Sequence, residues 1–520
     1  MSVVFRQVLV YDETVPSAMV GPVDVLVEGD RISAIGTGLA APAQARIVSG
    51  DGHHLLVPGL INAHFHSPAN HLKGSVRSLP LELFMLFESP AEPALRPTPR
   101  EAYLRTMLGA IEMLQRGITS VQDDAFLMPF PTPEIIDAVA SAYRDSGIRA
   151  TLALDQPELP ESDRLPYLGG FTLTDRERAD LEAPAPASAS ELLGAYDHLI
   201  NTWHGAAGDR IRAAVSVSAP QRVSLDYFAA LDDLAERHGL PLYAHMLETK
   251  VQRVLMTEQP RFGGRSLVRY TAAAGLLREH TNVIHAVWVD DRDLDAIAAA
   301  ESTVVHNPVS NLRLGSGVLP WRPMLDHGIP VALGTDEAIC DDTVNIWTVA
   351  KAVGLIHNVS GLDSDDWPTP SEILGALWRG GARAQRREGE LGVIAPGALA
   401  DLALLDLHTL AFTPLNDLRE QLVHCQDGRD VVLVLVGGRV VAEHGRVTTV
   451  DEAALLAEAR ELFTAKQTTV DRARAAANRH FPLYQRMVRR AAATDVGFTR
   501  WMSPTTPPLP PRPTPKEARP

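Results

Sequence analysis

Residues 55–66 read LLVPGLINAHFH, an apolar run that ends in two histidines separated by one residue. Positions i and i+2 of a β-strand point to the same side, so His64 and His66 can face one point. Three more apolar runs end in a side chain that can bind a metal: GLPLYA before His245, TNVI before His285 and GIPVALGT before Asp336. This repetition predicts a parallel barrel whose strand ends converge on one ion.

Size, charge and cysteine content are those of an ordinary soluble enzyme. The 520 residues suffice for a barrel of about 250–350 residues and a smaller companion domain. The net charge of -16 argues against nucleic acid or a membrane surface as the main partner. The opening MSVVFRQVLVYDETV lacks a secretory signal pattern, and no apolar run approaches the ~18 residues of a spanning helix. Because Cys340 and Cys425 are the only cysteines, we expect no disulfide framework and a cytoplasmic location.

Strand-like runs alternate with helix-like stretches through the middle of the chain. Eight candidate strands occur, the number that closes a (β/α)8 barrel of the TIM type: 55–65, 118–124, 148–154, 211–218, 240–246, 282–289, 302–307 and 329–335. Helical spacing predicts helices at 101–116, 224–238 and 291–300. The Pro-rich stretch 156–200 predicts an insertion over the mouth of the barrel. The fold class is therefore α/β.

Both ends of this α/β region carry a different pattern. Residues 1–57 and 386–450 alternate apolar and polar side chains around turn residues, which predicts one small discontinuous β-sandwich domain built from both parts. It flanks a barrel domain predicted at 58–385. Residues 451–502 are rich in Ala, Glu and Arg and predict a C-terminal helical extension, and 503–520 predict a disordered Pro-rich tail.

Four of the strand-end residues form a predicted metal site: His64, His66, His245 and Asp336. Three imidazole nitrogens and one carboxylate oxygen suit Zn²⁺, with Fe²⁺ as the alternative. A divalent ion lowers the pKa of a water molecule from about 15.7 to about 7, which supplies a nucleophile at neutral pH. A lone His-x-His in a strand is more often structural, so the prediction depends on the four residues occurring together.

Several longer motifs resemble the amidohydrolase superfamily: PGLINAHFHS from residue 58, HMLET from 245, VIHAVWVD from 283, HNPVSNLRLGSG from 306 and VALGTDEA from 331. Within the superfamily they are similar to the branch that contains guanine deaminase, S-adenosylhomocysteine deaminase and the triazine hydrolases. The resemblance extends from the N-terminal sheet to about residue 450.

The resemblance implies a role for each residue of the constellation. His64, His66, His245 and Asp336 would hold the metal, Asp336 also taking part in catalysis. Glu248 would carry a proton from the attacking water to a ring nitrogen of the substrate. Attack on an amidine-like carbon builds negative charge on that nitrogen, so an acid is needed there. His285 would hydrogen-bond the attacking water or the tetrahedral intermediate.

The number of metal ions follows from a missing lysine. Binuclear members of the superfamily bridge two ions with a carboxylated lysine at the end of the fourth strand. Here that strand ends AAVSVSAPQ, and no lysine lies between Lys73 and Lys250. We therefore expect one divalent ion per chain, which favours a deaminase over a hydantoinase-like amidase.

Candidate substrate contacts come from the loops after the strands: Glu82, Phe84, Asp155, Gln156 and Glu337. Related deaminases close the loop after the first strand over the substrate with an acidic residue and aromatic side chains. Phe84 could stack on a planar ring or pack the loop. Glu337 departs from the family pattern, which often has Gly or Ser after the metal-binding Asp.

These observations predict a metal-dependent hydrolase that deaminates an N-heterocycle, such as a nucleobase, nucleoside, pterin or triazine, and releases ammonia. One alternative is removal of chloride or an alkylamine from a triazine-like ring by the same site. Another is hydrolysis of a cyclic amide, and a non-catalytic scaffold of the same fold is the last. The only partner expected besides the heterocyclic substrate is a second copy of the chain, in a homodimer or larger homo-oligomer.

Overall fold

A computed structural model describes residues 2–89 and 92–502. The Pro-rich tail expected at 503–520 lies outside the described residues. Within the described ranges, none of the helices is both long and apolar enough to cross a membrane.

The N-terminal strands form half of a small sheet: β1 (Ser2–Tyr11), β2 (Met19–Glu28), β3 (Arg31–Gly36), β4 (Arg46–Ser49) and β5 (His54–Pro58). β1 pairs antiparallel with β2 and parallel with β4 and β5. Their alternating pattern buries one side, so that Val3, Phe5 and Val25 lie in an apolar cluster of the sheet.

Nine strands then form the barrel: β6 (Leu60–Phe65), β7 (Ile118–Ala125), β8 (Arg149–Leu154), β9 (Ile211–Ala213), β10 (Val215–Ser216), β11 (Leu242–Met246), β12 (Thr281–His285), β13 (Thr303–His306) and β14 (Val331–Leu333). All neighbouring pairs are parallel, in the orders β6-β7-β8-β9 and β10-β11-β12-β13-β14. β9 and β10 are two pieces of the fourth strand, separated by Ala214. The last strand meets the first where the Asp336 amide donates to the His64 carbonyl oxygen at 3.0 Å, which closes the barrel.

The remaining strands complete the small sheet: β15 (Leu402–Asp406), β16 (Val431–Val436), β17 (Arg439–Glu443) and β18 (Arg446–Val447). β15 pairs antiparallel with β5, so strands from both ends of the chain form one nine-stranded sheet. The Arg149 guanidinium of the barrel makes two hydrogen bonds, of 2.8 and 2.9 Å, to the Asp401 carboxylate beside β15. Both side chains are buried at this junction between sheet and barrel.

Nineteen α-helices lie among the described residues, besides short 3-10 and π turns: α1 (Leu81–Glu88), α2 (Pro99–Gln115), α3 (Pro133–Ser146), α4 (Asp175–Glu182), α5 (Ala189–Trp203), α6 (Ala206–Asp209), α7 (Leu225–His238), α8 (Lys250–Glu258), α9 (Leu267–Ala273), α10 (Asp291–Ala299), α11 (Pro308–Arg313), α12 (Trp321–Asp326), α13 (Ala338–Asp341), α14 (Ile346–Ile356), α15 (Pro370–Gly375), α16 (Gly381–Ala384), α17 (Leu418–His424), α18 (Glu452–Ala477) and α19 (Phe481–Ala493). Local signals set their starts. Thr98 and Glu101 form a capping box at the start of α2, with Pro99 at its first position.

The C-terminal extension consists of α18 and α19, which contact the loop after the first barrel strand. α18 packs along α2, where Glu458 pairs with Arg100 and Lys466 pairs with Glu101. α19 packs on α1 and α8, and its Leu483 lies in one apolar cluster with residues of both helices. Because α18 also contacts α1, the extension holds α1 from two sides.

Two stretches differ from the sequence expectation. The run 55–65 is two strands in different sheets, β5 and β6, because Gly59 lets the chain pass within van der Waals distance of Thr119. A β-carbon at Gly59 would lie 2.1 Å from the Thr119 hydroxyl oxygen. The stretch 156–200 is only partly an insertion, since its last part is α5, the helix between barrel strands β8 and β9.

Candidate metal centre and active site

The side chains of four strand-end residues converge at the carboxyl end of the barrel. His64 lies in β6 and His66 directly follows it, His245 lies in β11, and Asp336 follows β14. The Nε2 atom of His245 lies 3.2 Å from that of His64 and 3.3 Å from that of His66. The Asp336 Oδ1 atom lies 3.6 Å from the Nε2 atoms of both His64 and His66. All four side chains are buried.

Hydrogen bonds on the far side orient two of these imidazoles. The Nδ1 atom of His66 bonds to the carbonyl oxygen of Asp124, and that of His245 bonds to the carbonyl oxygen of Ser218 at 2.7 Å. Each Nδ1 therefore carries the proton, and each Nε2 presents a lone pair to the centre. Burial, with the neighbouring imidazoles, lowers the pKa of His64 well below its ordinary value. Burial likewise lowers the pKa of His245 to about 4.

This donor set fits a metal ion. Lone pairs of neutral imidazoles that face one another at about 3 Å repel, unless a cation lies between them. The carboxylate of Asp336 adds a negative charge to the same point. Three nitrogens and one oxygen are ligands that Zn²⁺ accepts.

His285 faces the same point as a hydrogen-bond donor. Its Nδ1 accepts hydrogen bonds from the amides of Asn311 at 3.0 Å and Asn307 at 3.3 Å, so Nε2 carries the proton. That Nε2 lies 3.6 Å from Glu248 Oε2 and 3.8 Å from Asp336 Oδ2. Burial lowers the pKa of His285 to about 3, so the ring is neutral at physiological pH. The side chain is suited to donate to an oxygen atom near the metal ligands.

Glu248 supplies a buried carboxyl group beside the centre. Its Oε1 atom has no hydrogen-bond partner among the described residues. Burial, and then the charges of Asp336 and Glu82, raise the pKa of Glu248 well above its ordinary value. The backbone amide of Glu248 donates to the side-chain oxygen of Gln252 at 2.8 Å, which orients the segment between β11 and α8. A carboxyl group with a raised pKa can both accept and donate a proton near neutrality.

The structure places the five candidate substrate contacts differently. Asp155 and Glu337 line the pocket around His66, His245 and Asp336, which we call the metal pocket. The Oδ1 atom of the buried Asp155 has no hydrogen-bond partner among the described residues. Gln156 is buried, but it does not line this pocket. Glu82 is not among the residues that line this pocket, and it accepts a hydrogen bond from the Thr249 hydroxyl. Phe84 is fully buried in an apolar cluster, so its ring packs the loop and does not reach the pocket.

Two carboxyl groups meet on one wall of the pocket. Glu337 and Glu88 are hydrogen-bonded to each other, and the thiol of Cys340 donates to Glu337 Oε2 at 3.6 Å. Burial, and then the charges of Glu88 and Asp336, raise the pKa of Glu337 well above its ordinary value. Two carboxyl groups this close favour a shared proton over two negative charges.

Sequence reasoning missed several residues that line the pocket: Leu81, Met85, Glu88, Phe126, Arg222, Gln252 and Leu314. Arg222 donates to the Ser218 hydroxyl at 3.1 Å and to the Met85 sulfur at 3.3 Å. Its position just after the fourth strand was the available signal, since active-site residues of such barrels follow the strands. Glu88 and Met85 reach the pocket only through the placement of α1.

A sequence model of the amidohydrolase family matches residues 55–441, well over half of the chain. The chain belongs to the amidohydrolase family. The match spans all nine barrel strands and reaches into the second half of the small sheet.

Two relatives illustrate the similarity within this family. The 5'-deoxyadenosine deaminase of Methanothermobacter thermautotrophicus is 30% identical over 429 residues, which cover 82% of this chain and 91% of the relative. The 5-methylthioadenosine/S-adenosylhomocysteine deaminase of Nitratidesulfovibrio vulgaris is 32% identical, over 81% of this chain and 87% of the relative.

Two solved structures share the fold. An adenosine deaminase from Xanthomonas campestris with bound zinc has a TM-score of 0.76 and 25% identity, over 90% of this chain and 98% of that chain. An atrazine chlorohydrolase from Arthrobacter aurescens, also complexed with zinc, has a TM-score of 0.77 and 23% identity, over 88% and 99% of the two chains.

Proposed function

We propose that this member of the amidohydrolase family removes an amino group from an N-heterocycle by hydrolysis and releases ammonia. The observation that carries the proposal is the convergence of three imidazoles and Asp336 on one point that Glu248 and His285 also face. Relatives named as deaminases of adenosine derivatives, at 30 to 32% identity, support it. Their names favour a purine nucleoside among the heterocycles considered.

One divalent ion would be held by His64, His66, His245 and Asp336. Zn²⁺ is the proposed metal, supported by the zinc in the adenosine deaminase of Xanthomonas campestris and by the donor set. When bound, such an ion lowers the pKa of a water molecule so that the water can act as a nucleophile at neutral pH. The absence of lysine between residues 74 and 249 supports a single ion.

The side chains around the centre account for the proton transfers. Glu248 accepts a proton from the attacking water and delivers it to the ring nitrogen next to the attacked carbon. The Nε2–H group of His285 donates to the attacking oxygen and stabilises the negative charge that develops there. The carbon becomes tetrahedral, and its bond to the amino nitrogen breaks. The amino nitrogen takes a second proton from the new hydroxyl group by way of Glu248, so ammonia leaves and a carbonyl group remains.

A heterocycle panel with metal analysis tests the proposal directly. The purified protein, loaded with one equivalent of zinc, is incubated with purine nucleosides, nucleobases, pterins and aminotriazines, and ammonia is measured. We expect ammonia from at least one purine nucleoside and a metal content near one ion per chain. Chloride or alkylamine release from a triazine without ammonia release would instead establish the alternative hydrolase activity.

Replacing Glu248 with Gln tests the proton transfer. The amide keeps the size of the side chain but cannot carry the proton, so we expect kcat to fall by about 10²-fold or more. The metal content should stay near one ion per chain, because Glu248 is not a proposed ligand. Glu258→Gln, at the exposed end of α8, is the matched control and should retain full activity. Near-normal turnover by Glu248→Gln would refute the role assigned to Glu248.

Assembly and location complete the proposal. We propose a homodimer on the family resemblance, and a cytoplasmic location on the presence of only two cysteines in the sequence. Analytical ultracentrifugation of the purified chain measures its oligomeric state, and a monomer at micromolar concentration would contradict the proposed homodimer.

A further inference from the structure

A second cavity lies next to the metal pocket. Its volume is about 270 Å³, and its walls come from α1, α2, α18 and the loops that follow β6 and β7. Glu88 and Phe126 line both this cavity and the metal pocket. A substrate held at the metal centre could therefore extend past these two side chains into the second cavity.

Three arginines line the second cavity without a carboxylate partner. No acidic group in the described ranges lies within ion-pair distance of Arg96, Arg105 or Arg474, whereas Arg100 of α2 pairs with Glu458. The Nε atom of Arg105 is buried and makes no hydrogen bond to a described residue, and burial lowers the pKa of Arg105 to about 10. The Arg105 side chain is half-buried, and its guanidinium carbon lies 6.0 Å from the centre of the Phe463 ring. Its charge therefore has an aromatic contact but no anionic partner, and an anion would offset the cost of its desolvation.

Arg474 reaches the cavity from the C-terminal extension. Its guanidinium donates to the carbonyl oxygens of Phe87 and Ser75, at 2.9 and 3.0 Å, and to the Ser75 hydroxyl at 2.9 Å. These acceptors are neutral, so they orient the guanidinium, and the Asp471 carboxylate, which acts on its charge, lies beyond ion-pair distance. Helix α18 thus adds a cation to a cavity whose other walls come from α1 and α2.

The acidic groups near the cavity have other partners. Glu88 shares its hydrogen bond with Glu337, and Glu101 pairs with Lys466. The Glu92 carboxylate, which also lines the cavity, accepts a hydrogen bond from the amide of Ala94 at 3.3 Å. This donor is neutral, so Glu92 leaves one negative charge in a lining that carries three arginines. Burial, followed by the charge of Arg105, lowers the pKa of His71 well below its ordinary value, in agreement with a positive local field.

The remaining walls of the cavity are largely apolar: Ala69, Leu72, Phe87, Leu95, Ala102, Phe126, Leu127, Met128, Val139 and Val470. An apolar stem would be desolvated by these walls, and its burial would be favourable. A cavity with apolar walls and uncompensated guanidinium groups suits an amphipathic acid.

We propose that this cavity binds a side arm of the substrate, one with an apolar stem and a terminal oxyanion, carboxylate or phosphate, held by Arg105 and Arg474. The inference rests on the proposed function, since it extends the substrate from an N-heterocycle to an N-heterocycle that carries an acidic arm. The C-terminal extension thereby becomes part of substrate binding, because α18 completes the arm site.

Binding of simple probes tests the arm site without any turnover. Hexanoate, 1-hexanol and inorganic phosphate are titrated calorimetrically into the zinc-loaded full chain and into Arg105→Gln, Arg474→Gln and Arg105→Lys. Arg472→Gln, at an exposed position of α18, is the matched control. We expect hexanoate to bind the wild type and Arg472→Gln about tenfold or more tightly than Arg105→Gln and Arg474→Gln. Arg105→Lys should retain part of the affinity, which shows that a loss in Arg105→Gln is not misfolding.

The probes also separate the two oxyanions. Phosphate that binds with the same dependence on Arg105, where hexanoate does not, assigns a phosphate arm, and the reverse assigns a carboxylate arm. No saturable binding of either anion, or equal binding by wild type and Arg105→Gln, would overturn the inference.

A kinetic comparison then links the cavity to the reaction. Adenosine is compared with adenosine 5'-phosphate and with the 5'-carboxylic acid of adenosine, and kcat/KM is measured for each. We expect the ratio of kcat/KM for the acidic substrates to kcat/KM for adenosine to fall by about tenfold in Arg105→Gln, and to keep the wild-type value in Arg472→Gln. Turnover of neutral nucleosides alone, with a ratio insensitive to Arg105, would overturn the arm site and leave the deaminase proposal standing. Anion binding that depends on Arg105, without ammonia release from any heterocycle, would support the arm site and contradict the deaminase proposal.

Discussion

Two residues of the centre adopt a backbone conformation that L-residues seldom take. His285 has a φ of 72° and Asp336 a φ of 61°, both in the left-handed region. Such residues cost about 1–3 kcal/mol each and persist where the surrounding structure holds them. Here the amides of Asn307 and Asn311 hold the His285 ring, and the barrel closure holds Asp336. The strain is a further sign that these two positions serve the chemistry.

At the residue scale, Asn311→Ala tests how the His285 ring is held. Loss of the 3.0 Å hydrogen bond to Nδ1 releases the ring tautomer, so Nε2 no longer reliably carries the proton. We expect kcat in the ammonia assay to fall by about 10–100-fold while the zinc content is unchanged. Asn416→Ala, in an exposed loop, is the control. Full activity of Asn311→Ala would show that Asn307 suffices or that His285 is not a donor.

The sequence identifies some site residues more readily than others. The sequence points to four candidate ligands because each follows an apolar run, and the ends of parallel strands meet at one rim. They are His64, His66, His245 and Asp336. Glu88 could not be predicted from the sequence, because its position at the pocket depends on how α1 packs against α18 and α19. Phe84 is a predicted substrate contact but packs in an apolar cluster. The sequence cannot distinguish an aromatic side chain that packs the loop from one that contacts a ligand.

At the element scale, Gly334 lets the last barrel strand approach the first. A β-carbon at this position would lie 2.4 Å from the Asn307 side-chain oxygen and 2.8 Å from Cβ of His64. We expect Gly334→Ala to lower the free energy of unfolding by about 1–3 kcal/mol and to weaken zinc binding, because His64 must shift.

A second glycine provides the control for this prediction. Gly194 lies inside α5, and a β-carbon there would have open space around it. Gly194→Ala should therefore stabilise the protein by about 0.5–1 kcal/mol and leave zinc binding unchanged. Urea denaturation and zinc titration of the two variants give the comparison, and equal behaviour would contradict the steric argument.

Element boundaries show where pattern reasoning reached its limit. The continuous run from Leu55 to Phe65 could not show that its two halves pair in different sheets, because both halves are buried and equally apolar. The helices at 225–238 and 291–299 were close to expectation, since their amphipathic spacing and caps are local signals. The β9–β10 interruption falls where the backbone amides change partner, from Leu152 of β8 at Ala214 to Pro241 at Val215, and no local pattern records that change.

At the scale of the whole molecule, the Arg149–Asp401 pair joins the barrel to the small sheet. Arg149→Met leaves the buried Asp401 carboxylate without its counter-ion, so we expect a loss of about 3–5 kcal/mol in the free energy of unfolding. The double variant Arg149→Met/Asp401→Leu should recover most of that loss, since it removes both charges. Urea denaturation of both variants measures the difference. A double variant no more stable than the single one would show that the hydrogen bond from Gly437 to Asp401 matters more than the charge.

The barrel closes through the same residues that would bind the ion. His64 and Asp336 are joined by a backbone hydrogen bond, and both side chains point at the centre. Ligation therefore spans a seam between segments 272 positions apart in the chain, and thermodynamic linkage makes the closure tighter when the ion is bound. After treatment with a chelator, we expect amide hydrogens in 60–65 and 331–336 to exchange with deuterium faster than those of β7 and β8. If exchange in 60–65 and 331–336 is the same before and after chelation, the barrel stays closed without the ion, and the ion is needed for the reaction only.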